Sequence, residues 1–485
     1  MECLWGNFVK IPPRVHNTMR PGMLVQSGIR GYPDRDSALK ALRKLLPYSV
    51  VFFRADFTTS SDLKDLVHAV NHLYRVEEGV EPPVIAVDQE GGNVVRIPWI
   101  DYSPSNYFLG NYDNPEFTRY VGNLTGHQLY ESGIRWNLAP VLDMLNSYNQ
   151  VILERSYSED VEKVASHGSA YVRGLQEAGV SATAKHFPGH GGVLEDSHLV
   201  LPRDTRNREA IMNEAYPFSK AIEAGAKTVM LSHVLYESLD SDLPASLSPI
   251  VQKMLREEFH FNGIMLTDAV DMKALANNYS RKEIVEHSVG QHADLVEAGD
   301  LDLGIELAEY VKNLDTAKFK EKYQRLRAIP LNKEIKFVPP AELLKSVAVS
   351  NNSIRRNVRI DPRKHFYLVF LDTHPESKVS ELKSPAQSVK ENLEKLNLDF
   401  ESVSLEELEQ KKVKNFQAIF IGRNEHVKGR IHKVNEICRN GTAVFISTSI
   451  SKDLGAIASG MGYIAAYSSK EENLMGSIYR ALGFF

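Results

Sequence analysis

Residues 181–198 read SATAKHFPGHGGVLEDSH, a short apolar run that ends in two basic side chains and continues into a loop rich in glycine and proline. An apolar run of this length is typical of a buried strand, and the proline and glycines that follow do not favour a helix. The stretch therefore predicts a strand whose carboxyl end carries Lys185 and His186. The loop beyond it can fold back over that strand end.

The same unit recurs through the first 300 residues, where each short apolar run is followed by a polar or glycine-containing turn and an amphipathic stretch suited to a helix. The eight runs lie at 22–25, 49–53, 84–87, 134–138, 181–184, 227–231, 263–267 and 293–296. Eight such units predict an α/β fold, a (β/α)8 TIM-type barrel. An open doubly wound sheet would also alternate strands and helices, but it would not need eight units before a break.

The chain has 485 residues, more than one hydrophobic core usually serves. Pro330, Pro339 and Pro340 interrupt regular structure in a mixed-charge segment, which predicts a linker. Beyond it, buried-type runs alternate with helical stretches rich in lysine and glutamate. We expect a barrel domain over 1–330, a linker and connecting segment over 331–358, and a small α/β sandwich domain over 359–485.

The composition, with 43% hydrophobic and 25% charged residues, is that of an ordinary globular protein. A net charge of -5 without a long basic run does not indicate a nucleic-acid partner. Cys3 and Cys438 are too far apart in sequence to indicate a disulfide framework or a thiolate zinc site. With no signal-peptide pattern and no apolar stretch of about 18 residues, we expect a cytoplasmic protein that does not span a membrane.

The loop contains a candidate acid/base pair, Asp196 and His198, two residues apart. A carboxylate at this spacing can fix the imidazole tautomer and favour its charged form, which suits a general acid near neutral pH. The pair also fits an ordinary turn with a surface histidine. A zinc site formed by His186, His190 and His198 is a third interpretation, although their spacing matches no familiar metal motif.

Two aspartates follow apolar runs where a barrel presents its catalytic groups. Asp268 follows the run at 263–267, and Asp88 follows the run at 84–87. Each could instead cap the following helix. Asp88, Arg96 and Arg155 could together hydrogen-bond vicinal hydroxyls of a sugar ring, whereas singly each fits a surface salt bridge.

Seven motifs occur in an order that resembles one enzyme family over residues 17–305. They are VDQEGG at 87–92 with Arg96 eight residues after the aspartate, APVLD at 139–143, ERSY at 154–157, KHFPGHG at 185–191, DSH at 196–198, PASLS at 244–248 and TDA at 267–269. Together they resemble glycoside hydrolase family 3, and within it the bacterial β-N-acetylglucosaminidases that trim cell-wall muropeptides.

The resemblance implies roles for eight residues. Asp268 would be the nucleophile, and Asp196 with His198 would form the acid/base dyad that separates this subgroup from the family's β-glucosidases. The residues implied to hold the terminal sugar are Asp88, Arg96, Arg155, Lys185 and His186. The expected activity is a retaining, exo-acting β-N-acetylhexosaminidase that hydrolyses terminal N-acetyl-β-glucosaminides of muropeptides or chitooligosaccharides through a covalent glycosyl-aspartate. It needs neither a metal nor a redox cofactor, and no Gly-x-Gly-x-x-Gly turn is present.

Three other functions stay open at the level of sequence. An imidazole acid/base repels an anionic acceptor less than a carboxylate does, which is compatible with a β-N-acetylglucosaminide phosphorylase. A β-glucosidase or β-xylosidase would act on sugars that lack the 2-acetamido group. A non-catalytic sugar-binding protein is suggested by Gly191-Gly192-Val193, which stands where the family commonly has Gly-Asp-Thr, and Asn93 replaces a usual arginine.

Overall fold

A computed structural model gives the fold of the chain. It describes residues 20–100, 104–146, 149, 151–193, 201–315 and 319–327, and in the C-terminal part residues 353–355, 360–361, 363–371, 389–390, 393–394, 398–411, 416–422, 433–434, 436, 441–447 and 462–465. Asp196 and His198, the predicted acid/base pair, lie outside these residues.

Eight parallel strands close into a barrel in the order β1-β10-β9-β7-β5-β4-β3-β2. Their bounds are β1 Val25–Arg30, β2 Ser49–Phe52, β3 Val84–Val87, β4 Trp136–Asn137, β5 Ser181–Phe187, β7 Thr228–Leu231, β9 Ile264–Ala269 and β10 Leu295–Asp300. Two short strands, β6 Arg203–Asp204 and β8 Leu235–Tyr236, pair separately from the barrel. The predicted (β/α)8 barrel is confirmed.

The first strand begins later in the chain than the sequence predicted. The run at 22–25 lies mostly in a 3-10 turn, Pro21–Leu24, and the strand begins only at Val25. Pro21 fits the first turn because its missing N–H needs no partner there. Gly22 lies so close to the end of the first helix that a Cβ would be 2.0 Å from the Leu45 carbonyl oxygen. The apolar run was therefore read correctly as buried, but its first part is a turn.

Helices follow the strands and cover the barrel. Their bounds are α1 Arg35–Leu45, α2 Ser60–His72, α3 Asn106–Tyr112, α4 Pro115–Glu131, α5 Val161–Glu177, α6 Arg208–Glu223, α7 Pro249–Glu257, α8 Lys273–Ala276, α9 Arg281–His287, α10 Leu301–Val311 and α11 Phe319–Leu326. Side-chain caps fix where many of them begin: Asp34 accepts from the amide of Ser37, and Ser280 and Glu283 form a capping box at α9.

The barrel strands are buried on both sides, since the helices cover the outside and side chains fill the inside. Strands β2, β3 and β7 contain no exposed residue. Large side chains such as Trp136 and Phe187 have no exposed surface. This packing leaves the ends of the barrel as the places where polar groups can meet a ligand, and it holds the strand ends rigidly.

The C-terminal part contains a second sheet of six strands in the order β11-β16-β15-β14-β12-β13. Its elements are β11 Ser353–Arg355, β12 Phe366–Phe370, β13 Phe400–Val403, α12 Leu405–Lys411, β14 Phe416–Gly422, β15 Gly441–Ser447 and β16 Gly462–Ala465. All pairs are parallel except β11 with β16. The predicted linker at 331–358 lies outside the described residues except for this edge strand, so the domain boundaries stay a prediction.

Within the described parts of the chain, no helix combines the length and the apolar character needed to cross a membrane.

Candidate active site

Polar residues from six barrel strands meet at the carboxyl ends of those strands, the face on which barrels of this type carry their chemistry. They are Asp88 after β3, Asp143 after β4, Lys185 and His186 in β5, His233 after β7, Asp268 in β9 and Glu297 in β10. These residues are far apart in sequence, and only closure of the barrel brings them together.

Register shifts in two pairs of neighbouring strands orient the side chains of this site. The register of β5 against β7 shifts between Ala184 and Phe187, so Lys185 and His186 both reach the mouth although neighbours in a regular strand face opposite sides. The ladder of β9 and β10 is also shifted, since Leu266 pairs with Leu295 but Ala269 pairs with Glu297. Asp268 lies in this shifted segment.

A network of five charged side chains forms one wall of the site. The Lys185 Nζ lies 2.8 Å from Asp88 Oδ1 and 2.7 Å from Glu90 Oε1. Arg155 donates two hydrogen bonds to Glu90, from Nε to Oε2 at 2.8 Å and from Nη2 to Oε1 at 2.9 Å. Arg96 Nη2 lies 3.9 Å from Asp88 Oδ2. Such paired, charge-assisted bonds fix both position and orientation.

Opposite charges in this network hold Glu90, Lys185 and Arg155 ionised. Burial raises the pKa of Glu90, but Arg155 and Lys185 outweigh this effect and hold that pKa well below its usual range. Burial lowers the pKa of Lys185, yet Asp88 and Glu90 raise it above the ordinary value. The Glu90 side chain is only 2% exposed against 14% for Asp88. Asp88 is therefore the carboxylate of this network that a ligand can reach.

His186 is oriented by a buried aspartate. Its Nδ1 lies 2.7 Å from Asp143 Oδ2, while Asp143 Oδ1 accepts hydrogen bonds from the amides of His186, at 3.1 Å, and His190, at 2.7 Å. Burial raises the pKa of Asp143, but His186 and these hydrogen bonds lower it overall. An ionised Asp143 requires a proton on Nδ1 of His186, which leaves Nε2 facing Asp268 Oδ2 at 3.9 Å.

Asp268 is the carboxylate at the centre of the site. Its Oδ1 accepts from the Ala269 amide at 2.8 Å, and its side chain is 18% exposed. Burial raises its pKa, but His186 and the Ala269 amide lower it to about 2. Asp268 is therefore ionised at neutral pH and open to a ligand, as a nucleophile must be.

The structure brings together six of the eight site residues predicted from the sequence: Asp88, Arg96, Arg155, Lys185, His186 and Asp268. It also adds Glu90, Asp143 and Glu297, to which sequence reasoning assigned no role, and His233, which the sequence places just after the sixth apolar run but without a role in the site. Glu90 and Asp143 stood within quoted motifs, within a few residues of strand ends, and that position was the available signal. Glu297 directly follows the eighth apolar run, 293–296, so its position after a predicted strand was likewise the available signal.

The histidines considered as zinc ligands lie in surroundings that do not form a zinc site among the described residues. His186 is bound to Asp143, and burial lowers the pKa of His190 to about 4. Among the residues that the structure describes, no three histidine, cysteine, aspartate or glutamate side chains are placed to hold a metal ion. His198, the third member of the proposed cluster, lies outside them.

The glycine at 192 has a local explanation. A Cβ at this position would lie 1.7 Å from Nη2 of Arg206, which pairs with Asp204 at 2.6 Å and Glu214 at 2.8 Å. An aspartate at 192 would therefore displace the Arg206 guanidinium. Val193, next along the chain, is buried. The altered loop is thus accommodated by packing beside the site, which weakens the argument that it marks a lost activity.

Comparison with known proteins identifies close relatives of the barrel. The family model described as the glycosyl hydrolase family 3 N terminal domain matches residues 28–329. A beta-hexosaminidase of Glaesserella parasuis is 30% identical over 302 residues, which span 61% of this chain and 87% of that protein.

Two solved structures share the fold. A glycoside hydrolase family 3 beta-N-acetylglucosaminidase from Paenibacillus sp. superposes with a TM-score of 0.82 at 23% identity, covering 96% of both chains. NagZ from Neisseria gonorrhoeae, solved in complex with N-trifluoroacetyl-D-glucosamine, has a TM-score of 0.55 at 27% identity and covers 67% of this chain and 93% of its own. The first likeness extends through the C-terminal sheet.

Proposed function

The chain belongs to glycosyl hydrolase family 3, and from this premise we propose that it is a retaining β-N-acetylhexosaminidase that hydrolyses terminal N-acetyl-β-glucosaminides. The observation that carries the proposal is Asp268, an ionised and accessible carboxylate on a rigid strand end, with its Oδ2 directed toward His186. The beta-hexosaminidase relative supports the choice of sugar.

In the first step, Asp268 Oδ2 attacks the anomeric carbon of the terminal sugar. The C–O bond to the aglycone breaks, its electron pair stays on the leaving oxygen, and His198 supplies the proton to that oxygen. Oδ2 is assigned to the attack because Oδ1 already accepts from the Ala269 amide. The roles of His198 and of Asp196, which would orient it, rest on the sequence motif alone.

In the second step, water attacks the anomeric carbon of the glycosyl-aspartate. His198 takes the proton from that water, and the bond from the anomeric carbon to Asp268 breaks to regenerate the carboxylate. Two inversions give net retention of configuration. His186, held by Asp143, donates from Nδ1 and presents Nε2 toward the reaction centre, where it can contact a sugar hydroxyl.

The terminal sugar is held by Asp88, Arg96, Arg155, Lys185 and His186 in this proposal. Asp88 is the exposed acceptor for ring hydroxyls, and Lys185 fixes its orientation. Arg155 already donates to Glu90 and to the Val151 carbonyl, so it contributes to the sugar with its remaining donors and by holding Glu90. No metal or redox group takes part in this mechanism.

The deciding experiment offers the purified protein 4-nitrophenyl N-acetyl-β-glucosaminide and the matching β-glucoside, in buffers with and without phosphate, and identifies the sugar released. Turnover of the acetamido substrate to free sugar supports the proposal. A sugar 1-phosphate in phosphate buffer would establish a phosphorylase. Turnover of the glucoside alone would establish a β-glucosidase. A folded protein that turns over neither would favour a sugar-binding function.

The nucleophile is tested by Asp268→Asn. An amide cannot form the glycosyl ester, so kcat should fall by about 10⁴-fold or more while KM changes little. Asparagine keeps an oxygen that can accept the Ala269 amide, so the fold should persist. The control is an unchanged melting temperature, and a variant that kept full activity would remove Asp268 from the mechanism.

For the cellular setting we propose the cytoplasm and a muropeptide or chitooligosaccharide substrate. The support is the low cysteine count, two in 485 residues, together with the bacterial beta-hexosaminidase relative. Fractionation of cells that produce the protein at its natural level, followed by immunodetection, tests the compartment. Recovery in the periplasmic or culture fraction would contradict it.

A further inference from the structure

His233 follows strand β7 beside the nucleophile and has no exposed surface. Both of its ring nitrogens have a partner. Nδ1 lies 2.8 Å from the Ser246 hydroxyl, and Nε2 lies 3.0 Å from the carbonyl oxygen of Ala269. The mechanism proposed above does not use this residue, although a buried histidine with two specific partners restrains the residue that follows the nucleophile.

The two partners determine the tautomer of His233. A carbonyl oxygen only accepts hydrogen bonds, so Nε2 must carry the proton, and Nδ1 then accepts from the Ser246 hydroxyl. The charged groups facing the ring are Asp268 and Asp271 from the β9 segment and His186 from β5. Burial lowers the pKa of His233, which agrees with a neutral imidazole that keeps one proton.

Ala269 is held on both sides as a result. Its amide donates to Asp268 Oδ1 at 2.8 Å, and its carbonyl accepts from His233 at 3.0 Å and from the Met272 amide at 3.1 Å. Without His233 the carbonyl would keep only the Met272 amide, three residues along the same segment. The Ala269 backbone would then lose its side-chain bond to another part of the barrel, and its amide could shift away from the nucleophile. The shifted ladder between β9 and β10 makes this restraint more important, because Ala269 and Glu297 form the pair at the edge of the irregular segment.

Ser246, which holds the His233 ring, is itself held by hydrogen bonds to its backbone. The Ser246 amide donates to the Ser232 carbonyl at 2.9 Å, and Gln252 Nε2 donates to the Ser246 carbonyl at 2.9 Å. Gln252 also donates to the carbonyl of His287 at 2.8 Å. Gln252, Ser246 and His233 are completely buried. A chain of buried hydrogen bonds thus runs from helix α7 to the backbone beside Asp268.

We propose that His233 is a positioning residue for Asp268: by holding the Ala269 carbonyl it keeps the Ala269 amide on Oδ1 and leaves Oδ2 directed at the anomeric carbon. This inference rests on the function proposed above. His233 transfers no proton and touches no substrate in this role, because both of its nitrogens are already engaged.

The test compares His233→Leu with His233→Gln. Leucine offers no donor to Ala269, whereas glutamine offers a donor and an acceptor. We expect leucine to lower kcat by about 100-fold with KM within about two-fold, since a misplacement of roughly 1 Å has a cost of that order. We expect glutamine to recover most of this loss. Equal activity in the two variants, at either level, would overturn the proposal.

A buried histidine elsewhere in the barrel serves as the matched control. His167 on α5 has no exposed surface, and its Nδ1 lies 2.7 Å from the Thr118 hydroxyl. His167→Leu should lower the melting temperature without changing kcat. Should this control lower kcat as much as His233→Leu at equal residual stability, the effect at His233 would be one of packing alone.

Two further readouts separate positioning from proton transfer. The pH profile of kcat/KM should have the same limbs in wild type and His233→Gln, and a lost or shifted limb would assign a proton-transfer role to His233. Imidazole ¹⁵N spectra, with the His233 signals identified by their absence in His233→Gln, should show a neutral ring protonated on Nε2 at about pH 7, above the ordinary histidine pKa of about 6.5. A doubly protonated ring would overturn the proposal. Because the spectra need no turnover, they distinguish failure here from failure of the proposed activity.

Discussion

Asp268 and Asp143 are both aspartates near the carboxyl ends of strands of one barrel, yet their surroundings give them different properties. Asp268 is 18% exposed and bonded to a single amide, whereas Asp143 has no exposed surface and binds a histidine ring and two amides. Both are held ionised. Only Asp268 has an oxygen available to a substrate, so accessibility rather than charge separates the nucleophile from the residue that orients His186.

Asp143→Asn tests this division. The asparagine amide cannot hold the Nδ1 proton of His186 as a carboxylate does, so kcat/KM should fall by roughly 10- to 100-fold, as when a supporting hydrogen bond to a functional histidine is lost. The measurement is a kinetic titration between about pH 5 and 8. The control is Asp294→Asn, a buried aspartate bound to Arg256 and Arg325 just before β10. It should lower stability but leave the pH profile unchanged.

Asp143→Asn should also lower the free energy of unfolding, by an amount that depends on pH. The pKa of Asp143 is lowered in the folded protein, so its contribution is present above the unfolded pKa of about 3.9 and disappears as pH falls through the folded pKa. The free energy of unfolding of Asp143→Asn should therefore lie below wild type at pH 7 and approach it in acid. A deficit that stays constant with pH would contradict the ionised assignment.

Glu297 is the opposite case, a buried acid that keeps its proton. Burial raises its pKa well above the ordinary value, Asp88 and Asp268 raise it further, and Oε2 has no hydrogen-bond partner among the residues that the structure describes. Below the unfolded pKa of about 4.3, both states are protonated and folding carries no penalty. Above it, stability declines by about 1.4 kcal/mol per pH unit until the folded pKa is reached.

Glu297→Gln removes that penalty because glutamine stays neutral. The variant should resemble wild type near pH 4 and become progressively more stable than wild type toward pH 7, measured by urea unfolding across this range. Exposed Glu306→Gln is the control and should show no gain. An advantage that does not grow with pH would mean that Glu297 is ionised in the folded protein.

At the scale of elements, helix α3 positions the turn that carries Arg155. Asn106 Nδ2 donates to the Arg155 carbonyl at 2.6 Å. Gly110 packs so closely on the end of this turn that a Cβ would lie 1.9 Å from the Tyr157 carbonyl oxygen. Backbone meets backbone here, so neither partner can rotate out of the way. The helix and the turn thus act as one support for the network of Arg155 and Glu90.

Gly110→Ala should push α3 away from this turn. Overpacking of a rigid contact costs about 1–3 kcal/mol, and the displaced Arg155 should raise KM more than it lowers kcat. Thermal unfolding and steady-state kinetics measure the two effects. Asn111→Ala, an exposed substitution on the same helix, is the control and should leave KM unchanged. A folded Gly110→Ala enzyme with normal KM would show that α3 does not support the sugar site.

At the scale of the whole molecule, we propose that the chain divides at the predicted linker, residues 331–358, into the barrel and the domain at 359–485. Trypsin should cut first at Lys333, Lys336 and Lys345, which precede the edge strand β11, because a connection between two cores is the most accessible backbone. Mass spectrometry of the early fragments identifies the sites. First cuts within 201–315 would contradict the division.

The periodicity of apolar runs was sufficient to predict the barrel because burial of both strand faces leaves a continuous apolar signal in the sequence. It predicted the start of the first strand three residues early, since the 3-10 turn at Pro21–Leu24 is as apolar as a strand. Strand-end positions likewise identified Asp88, Lys185, His186 and Asp268 from their place in the sequence.

The sequence by itself determined which residue types stand at the strand ends, because that depends on local order along the chain. Only the tertiary structure decided their partners: Glu90 with Arg155, Asp143 with His186 and His233 with Ala269 are joined across 36 to 65 positions. The register shifts in β5 and β9 also depend on neighbouring strands. Such contacts are set by closure of the barrel, and a charge or an imidazole has its working state only once those partners surround it.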